Sequence, residues 1–329
     1  MSSDDTGRLG DAAVPVRLLM ALSVAVSHSF TLAGHDDPLL PNAGFGSLGV
    51  VGFFALSGFL VTGSALRLGD RPRFLWHRFL RIYPAYWACL LVTAFGFGLA
   101  LGGTPSQAAG YVLENATIMV HRLSLSGEPT GVPVPGQLNG ALWTLGVEVI
   151  CYLVVALTMA RRRAVAPMAA LFLFVALCAA RTQGAVYPQY ELALAFAIGA
   201  TLRLYRFPRT TAVLAASGVV TVVAIAAGWW LPVALPALCV FVLNLADRPA
   251  PVIPDLSYGF YLYAFPVQQT LVMAGLREPL VILALTIVGA GSLAWLSHRF
   301  IEEPARRLRG ASLPHSVTRR FDRAMATDA

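Results

Sequence analysis

Long apolar runs separated by short polar connections make up most of the chain. A helix needs about 20 residues to cross a hydrocarbon core about 30 Å thick. On that ruler ten runs qualify: residues 14–33, 48–66, 84–102, 141–160, 164–180, 190–204, 211–229, 231–246, 257–276 and 280–297. The sixth and eighth are short, and Trp229 and Trp230 before the eighth suit an interfacial belt. The pattern predicts an all-α polytopic membrane protein of about ten transmembrane helices. Residues 1–12 read as an N-terminal tail, 13–309 as the membrane domain, and 310–329 as a polar, disordered tail. No internal repeat and no appended soluble domain is visible.

Composition agrees with a lipid solvent. Of the 329 residues 57% are hydrophobic and 12% charged, about half the ~25% charge of a soluble domain. The first apolar run is one of many and lacks a convincing small-residue cleavage site, so no cleavable signal peptide is expected. The four cysteines (Cys89, Cys151, Cys178, Cys239) stand singly in apolar segments, without the spacing of metal ligands. They read as packing residues, and no metal is implied.

The net charge of +7 then becomes a statement about topology. Every basic residue is arginine. With a cytoplasmic N-terminus, 21 of the 24 arginines fall on the cytoplasmic side, leaving Arg122, Arg181 and Arg277 outside. That bias follows the positive-inside rule, and nine or eleven spans would scramble it. Both termini are therefore expected in the cytoplasm, and no nucleic-acid partner is needed to explain the charge. The longest connection, 103–140, falls outside. Its "YVLENATIMVHRL" suits an interfacial or re-entrant helix; its "SGEPTGVPVPGQLNG" reads as a loop. Such a loop either contacts an exterior acceptor or spans two distant helix ends.

Polar groups inside the apolar runs carry the candidate chemistry, because each is costly in lipid. Arg17 and His28 lie eleven residues apart in the first run. Eleven residues is about 20° past three turns and about 16 Å of rise, so both share one helix face. Arg17 then sits at the cytoplasmic end and His28 in the outer half. Taken alone, Arg17 reads equally as a snorkelling anchor and His28 as an interhelical hydrogen bond. In the fourth run, Glu148 lies at a depth similar to His28. A carboxylate accepting the His28 N–H would fix its tautomer and leave the other nitrogen as a base. The rival partner for Glu148 is Arg181, and Glu191 is a weaker candidate of the same kind. On the cytoplasmic side Arg67, Arg71, Arg73, Arg78 and Arg81 interleave with aromatics, and Arg78 and Arg81 share a face if helical. Guanidinium forks suit a multiply phosphorylated ligand; lipid headgroups are the alternative. A polyanion docked there could send a thin arm inward toward His28, and coenzyme A has that shape.

These residues fall into recognisable motifs. They are Arg17-x10-His28, "GFFALSGFL" in the second run, "RFLRIYP" from Arg78 to Pro84, "WTLGVE" from Trp143 to Glu148, "LSYGFYLYAFPV" and "RFIEEPARRL". In this order the chain resembles the acyltransferase-3 family of integral-membrane acyltransferases over roughly residues 13–309. The resemblance implies transfer of an acyl group, usually acetyl from acetyl-CoA, to a hydroxyl of a surface carbohydrate, glycolipid or related acceptor, across a bacterial cytoplasmic membrane. By the same resemblance His28 is the essential histidine, Arg17 its partner across the helix, and Arg78 and Arg81 the donor-side arginines. With the depth argument above, His28 and Glu148 are the expected catalytic pair and Arg17, Arg78 and Arg81 the expected donor-binding set. Ser57, Trp143, Ser257, Tyr258 and Tyr261 line the substrate cavity, with Ser57, Tyr258 and Tyr261 as candidate oxyanion donors. Many relatives carry a histidine where this chain has Ala264, so that group has no counterpart here. Larger members append an exterior hydrolase-like domain, whereas this chain ends soon after the tenth run. Transfer of succinyl or another acyl group is the nearest alternative. A proton-coupled transporter or flippase of lipid-linked sugars is the more distant one. The acceptor's identity, direct transfer against an acyl-His28 intermediate, an accessory protein and oligomeric state stay open.

Overall fold

The computed structural model describes residues 9–37, 44–125 and 130–310. The expected tails lie largely outside these, at 1–8 and 311–329. All regular structure among the described residues is helical.

A helix lies over each of the ten expected intervals. These are α1 (Ala13–Ala33), α2 (Phe45–Leu68), α3 (Arg71–Leu91), α5 (Trp143–Leu157), α6 (Arg162–Thr182), α7 (Pro188–Leu204), α8 (Thr211–Ala226), α9 (Leu235–Ala246), α10 (Ser257–Met273) and α11 (Pro279–Ser297). Two more helices fall between or after them, α4 (Pro105–Asn115) and α12 (Glu303–Arg307). By length and apolarity five segments can cross a membrane: Ala13–Ala33, Phe45–Leu68, Arg71–Gly98, Arg162–Thr182 and Pro279–Arg307. The others are shorter or less apolar. Wider π-type turns extend α3 through Val92–Gly98, open α9 at Trp230–Ala234 and carry α11 through His298–Glu302 into α12.

Two boundaries differ from expectation. The arginine-rich segment before the third run and that run form one helix, because Asp70 caps its start by accepting from the Arg73 amide (3.1 Å) and Pro84 is absorbed within it. The helix of the longest connection, α4, begins at Pro105 rather than Tyr111 and ends by Asn115. Thr104 and Gln107 form a reciprocal capping box that fixes its start. Beyond it Asn115 accepts from the His121 amide (3.0 Å) and the Arg122 amide (3.2 Å), pinning an irregular return.

The outer helices expose apolar side chains, as lipid contact requires. On α6 only Leu177 is buried, while Met168, Leu171, Phe172 and Val175 face outward. In contrast α10 is central: every residue from Ser257 to Gln269 is buried. Gln268 donates from α10 to the Ala25 carbonyl and to Ser29 Oγ of α1, both at 2.7 Å. Lipid gives no hydrophobic drive between helices, so close backbone approach must hold them. This is clearest between α2 and α7, where a Cβ added at Gly58 would stand 2.0 Å from the Phe196 carbonyl oxygen. One added at Gly199 would stand 2.0 Å from that of Ala55. Gly199→Leu is therefore expected to abolish the monodisperse protein in detergent. Gly58→Ala is expected to lower its melting temperature, the cost of overpacking being about 1–3 kcal/mol.

Candidate active site

A cavity of about 120 Å³ opens between α1, α2, α3, α5 and α10. Helical spacing brings its charged groups together. Arg78 and Arg81, three residues apart on α3, both face it, and Arg17 enters from α1. Arg73 is exposed. Arg67, at the end of α2, acts on Arg203 and not on the cavity.

The arginines are held by two carboxylates that the sequence did not single out. Asp255, in the turn before α10, accepts from Arg17 (2.7 Å) and Arg81 (3.2 Å), and Arg81 also reaches Glu302 (3.3 Å). Ser257 Oγ donates to Asp255 Oδ1 (2.6 Å), so this serine orients the carboxylate and does not point its hydroxyl at substrate. Burial alone would raise the Asp255 pKa. The two guanidiniums and the Ser257 bonds outweigh it and hold the carboxyl well below the ordinary range. A group depressed in the folded state contributes stability above its unfolded pKa and loses it as pH falls through the folded one. Melting temperature should thus hold through mild acid as far as Asp255 is concerned. Asp255→Asn should cost about 3 kcal/mol, the low end for breaking a buried pair, because it leaves the half-buried Arg17 without an ion pair and Arg81 with Glu302 alone.

Glu148 corrects the expected pairing with His28. It lines the arginine cavity, accepting from Ser57 Oγ (2.9 Å) and from the Tyr152 hydroxyl (2.5 Å). Equal depth did not make the two residues face one another. Here α5 turns Glu148 toward α2 and α3, while α1 turns His28 toward α10. Nor does Arg181 take Glu148: it approaches Glu191 (3.9 Å), whose other oxygen accepts from Trp230 Nε1 (3.0 Å).

His28 lies in a second cavity, of about 230 Å³, with Ser27, Asp37, Trp143 and Glu191. The Phe265 ring meets the imidazole edge-on, 5.1 Å between centroids. Asp37 is fixed beside it by Ser27 Oγ (2.5 Å) and by the amide of Phe45, the first residue of α2 (3.1 Å). Asp37 and His28 line the same cavity. The segment returning from α4 completes this chamber through Gly140 and Ala141, and it is tied to α10 by Gln269 on the Val134 carbonyl (2.7 Å).

The two cavities share a wall of Val50, Thr144 and Tyr261. Tyr261 and Thr144 hydroxyls meet at 2.8 Å, and Tyr261 also donates to the Ala141 carbonyl (3.1 Å). Tyr258, by contrast, spends its hydroxyl on the Ile82 carbonyl (2.9 Å) and lies under the Arg81 guanidinium (5.3 Å). Of the residues missed, Tyr152 was findable as the i+4 neighbour of Glu148. Asp255 immediately precedes "LSYGFY" and Glu302 lies within "RFIEEP", but neither contact is local.

An arginine-lined pocket abutting a histidine chamber inside an apolar helical bundle suits a membrane-embedded group-transfer enzyme. The acyltransferase domain model of the acyltransferase-3 family matches residues 16–298, and the chain belongs to that family. It is 28% identical over 323 residues to an O-acetyl transferase of Shigella phage Sf6, covering 89% of this chain and 96% of that protein. It is also 29% identical over 347 residues to nodulation protein 10 of Rhizobium leguminosarum bv. viciae, covering 89% and 92%. No solved structure matches the chain.

Proposed function

We propose that this acyltransferase moves an acetyl group from acetyl-CoA, bound from the cytoplasm, to a hydroxyl of a carbohydrate or glycolipid presented at the opposite face. In this reading ten helices cross a bacterial cytoplasmic membrane and both termini are cytoplasmic, as the arginine distribution favours. The donor set fits its ligand: guanidinium forks bind phosphate oxygens strongly, and a narrow apolar wall (Val50, Phe53, Leu60) suits an uncharged arm. Oxygen as the acceptor atom and acetyl as the group are supported by the phage relative, which is named an O-acetyl transferase.

The observation that carries the reading is the shared wall. Arg17 and His28 are about 16 Å apart along α1, one in each cavity, and Tyr261 borders both. His28 takes the proton of the acceptor hydroxyl and the oxygen attacks the thioester carbonyl. The C–S bond then breaks and the departing thiolate takes that proton back from the imidazolium. Asp37 stabilises the transient cation, and Tyr261 donates to the carbonyl oxygen as negative charge develops. Glu148 holds Ser57 and Tyr152 in place beside Arg78.

Sealed vesicles test this. Labelled acetyl-CoA added to inside-out vesicles of the full chain should label a carbohydrate fraction, and right-side-out vesicles should not. Equal labelling from both faces, or none from either with acceptor present, would overturn the reading.

A further inference from the structure

Three guanidiniums, one on α3 and two on the segment after α11 that packs against it, have no ion-pair partner among the described residues. Arg78 bonds only weakly to Ser64 Oγ (3.4 Å) and stacks near the Tyr152 ring (5.7 Å), and its Nε is buried without a hydrogen bond. Arg306 turns to the His298 ring (3.3 Å). Arg309 is half-buried, and its Nε is likewise unpartnered. Most nearby carboxylates are engaged by other arginines: Asp255 by Arg17 and Arg81, Glu302 by Arg81, and Glu303 by Arg299 and Arg307. Glu148 shares the cavity with Arg78 and acts on it across the space, but its oxygen is bonded to Ser57 and Tyr152. The segment after α11 folds back onto α3, where the His77 ring reaches the Arg309 backbone. There burial, followed by the charges of Arg78, Arg81 and Arg306, pushes the Arg309 pKa down to about 10. Uncompensated like charges in a half-buried place repel one another, and an anion between them would relieve the repulsion.

We propose that Arg306 and Arg309 join Arg78 in a phosphate-binding site at the mouth of the arginine cavity. The proposal rests on the donor reading above and deepens it: the phosphates of a nucleotide head bind to the segment after the last membrane helix, not to α3 alone. A phospholipid headgroup offers the same chemistry, so both sources are tested.

Binding of coenzyme A to the full chain in uncharged detergent should weaken about tenfold in Arg309→Ala and in Arg306→Ala, and less in Arg309→Lys. Dephospho-coenzyme A, which lacks the ribose phosphate, should bind wild type more weakly and lose less in the variants. Unliganded melting temperatures establish that each variant folds; if an alanine variant does not, Arg309→Lys and Arg306→Gln replace it. In parallel, wild type and variants are placed in nanodiscs of phosphatidylglycerol or phosphatidylcholine, and their stability is compared. If wild type binds coenzyme A and the variants bind it equally well, the nucleotide is not the ligand. The site then stands only if the variants lose a wild-type preference for phosphatidylglycerol. If wild type fails to bind coenzyme A, the donor reading falls and the lipid comparison alone decides the site. Variants unchanged in both comparisons overturn the proposal.

Discussion

His28→Ala is expected to lower kcat for acetyl transfer by about 10²–10⁴-fold, the range that a positioned general base contributes. The affinity for coenzyme A should stay at the wild-type value. The division follows from the geometry: His28 lines only the second cavity, whereas the guanidiniums line the other. A loss of coenzyme A binding in this variant would place His28 in the donor site. Unchanged turnover would remove it from the chemistry. Substitution by alanine also deletes the edge contact with Phe265, so His28→Gln, which fills more of that volume, should show the same kinetic loss.

The second large effect concerns Tyr261. Of the three hydroxyls considered for the developing oxyanion, Ser57 is committed to Glu148 and Tyr258 to the Ile82 carbonyl. Tyr261 sits on the boundary, in reach of both cavities, and its bonds to Thr144 and the Ala141 carbonyl can be exchanged for one to a substrate oxygen. Loss of one such donor typically costs 10²–10³-fold in kcat. Tyr261→Phe is expected to show that loss at nearly unchanged coenzyme A affinity. Tyr258→Phe should chiefly lower the melting temperature, since it removes a buried hydrogen bond between α10 and α3. Equal kinetic losses in the two variants would contradict the assignment.

Much of this architecture was legible along the chain, because apolar runs of membrane-spanning length admit little besides helices. The shared face of Arg78 and Arg81 followed from their spacing, and so did the placement of Arg17 and His28 on one side of α1. What helical periodicity cannot give is the rotation of one helix against another. For that reason Glu148 was matched to His28 by depth, although α5 turns it toward Ser57 and Tyr152. Asp255 and Arg17 meet across 238 residues, a contact no local pattern encodes. Asp37 lay in a polar connection, "GHDDP", whose acidic groups look like ordinary loop residues until the start of α2 folds over one of them. Pro84 is a further case. Read as a boundary it divided α3 in two, but the Asp70 cap and the ion pairs of Arg81 carry the helix through it.

A structure of the full chain with a thioether analogue of acetyl-CoA, determined in a nanodisc, tests the account most directly. The phosphates should lie among the cytoplasmic guanidiniums, and the arm should pass Tyr261. The carbon that stands for the reacting carbonyl should come to within about 3–4 Å of a hydroxyl bound at His28, the separation of a near-attack geometry. An arm that stops on the cytoplasmic side of Tyr261, or an imidazole turned toward lipid with no passage to the arginine cavity, would contradict it.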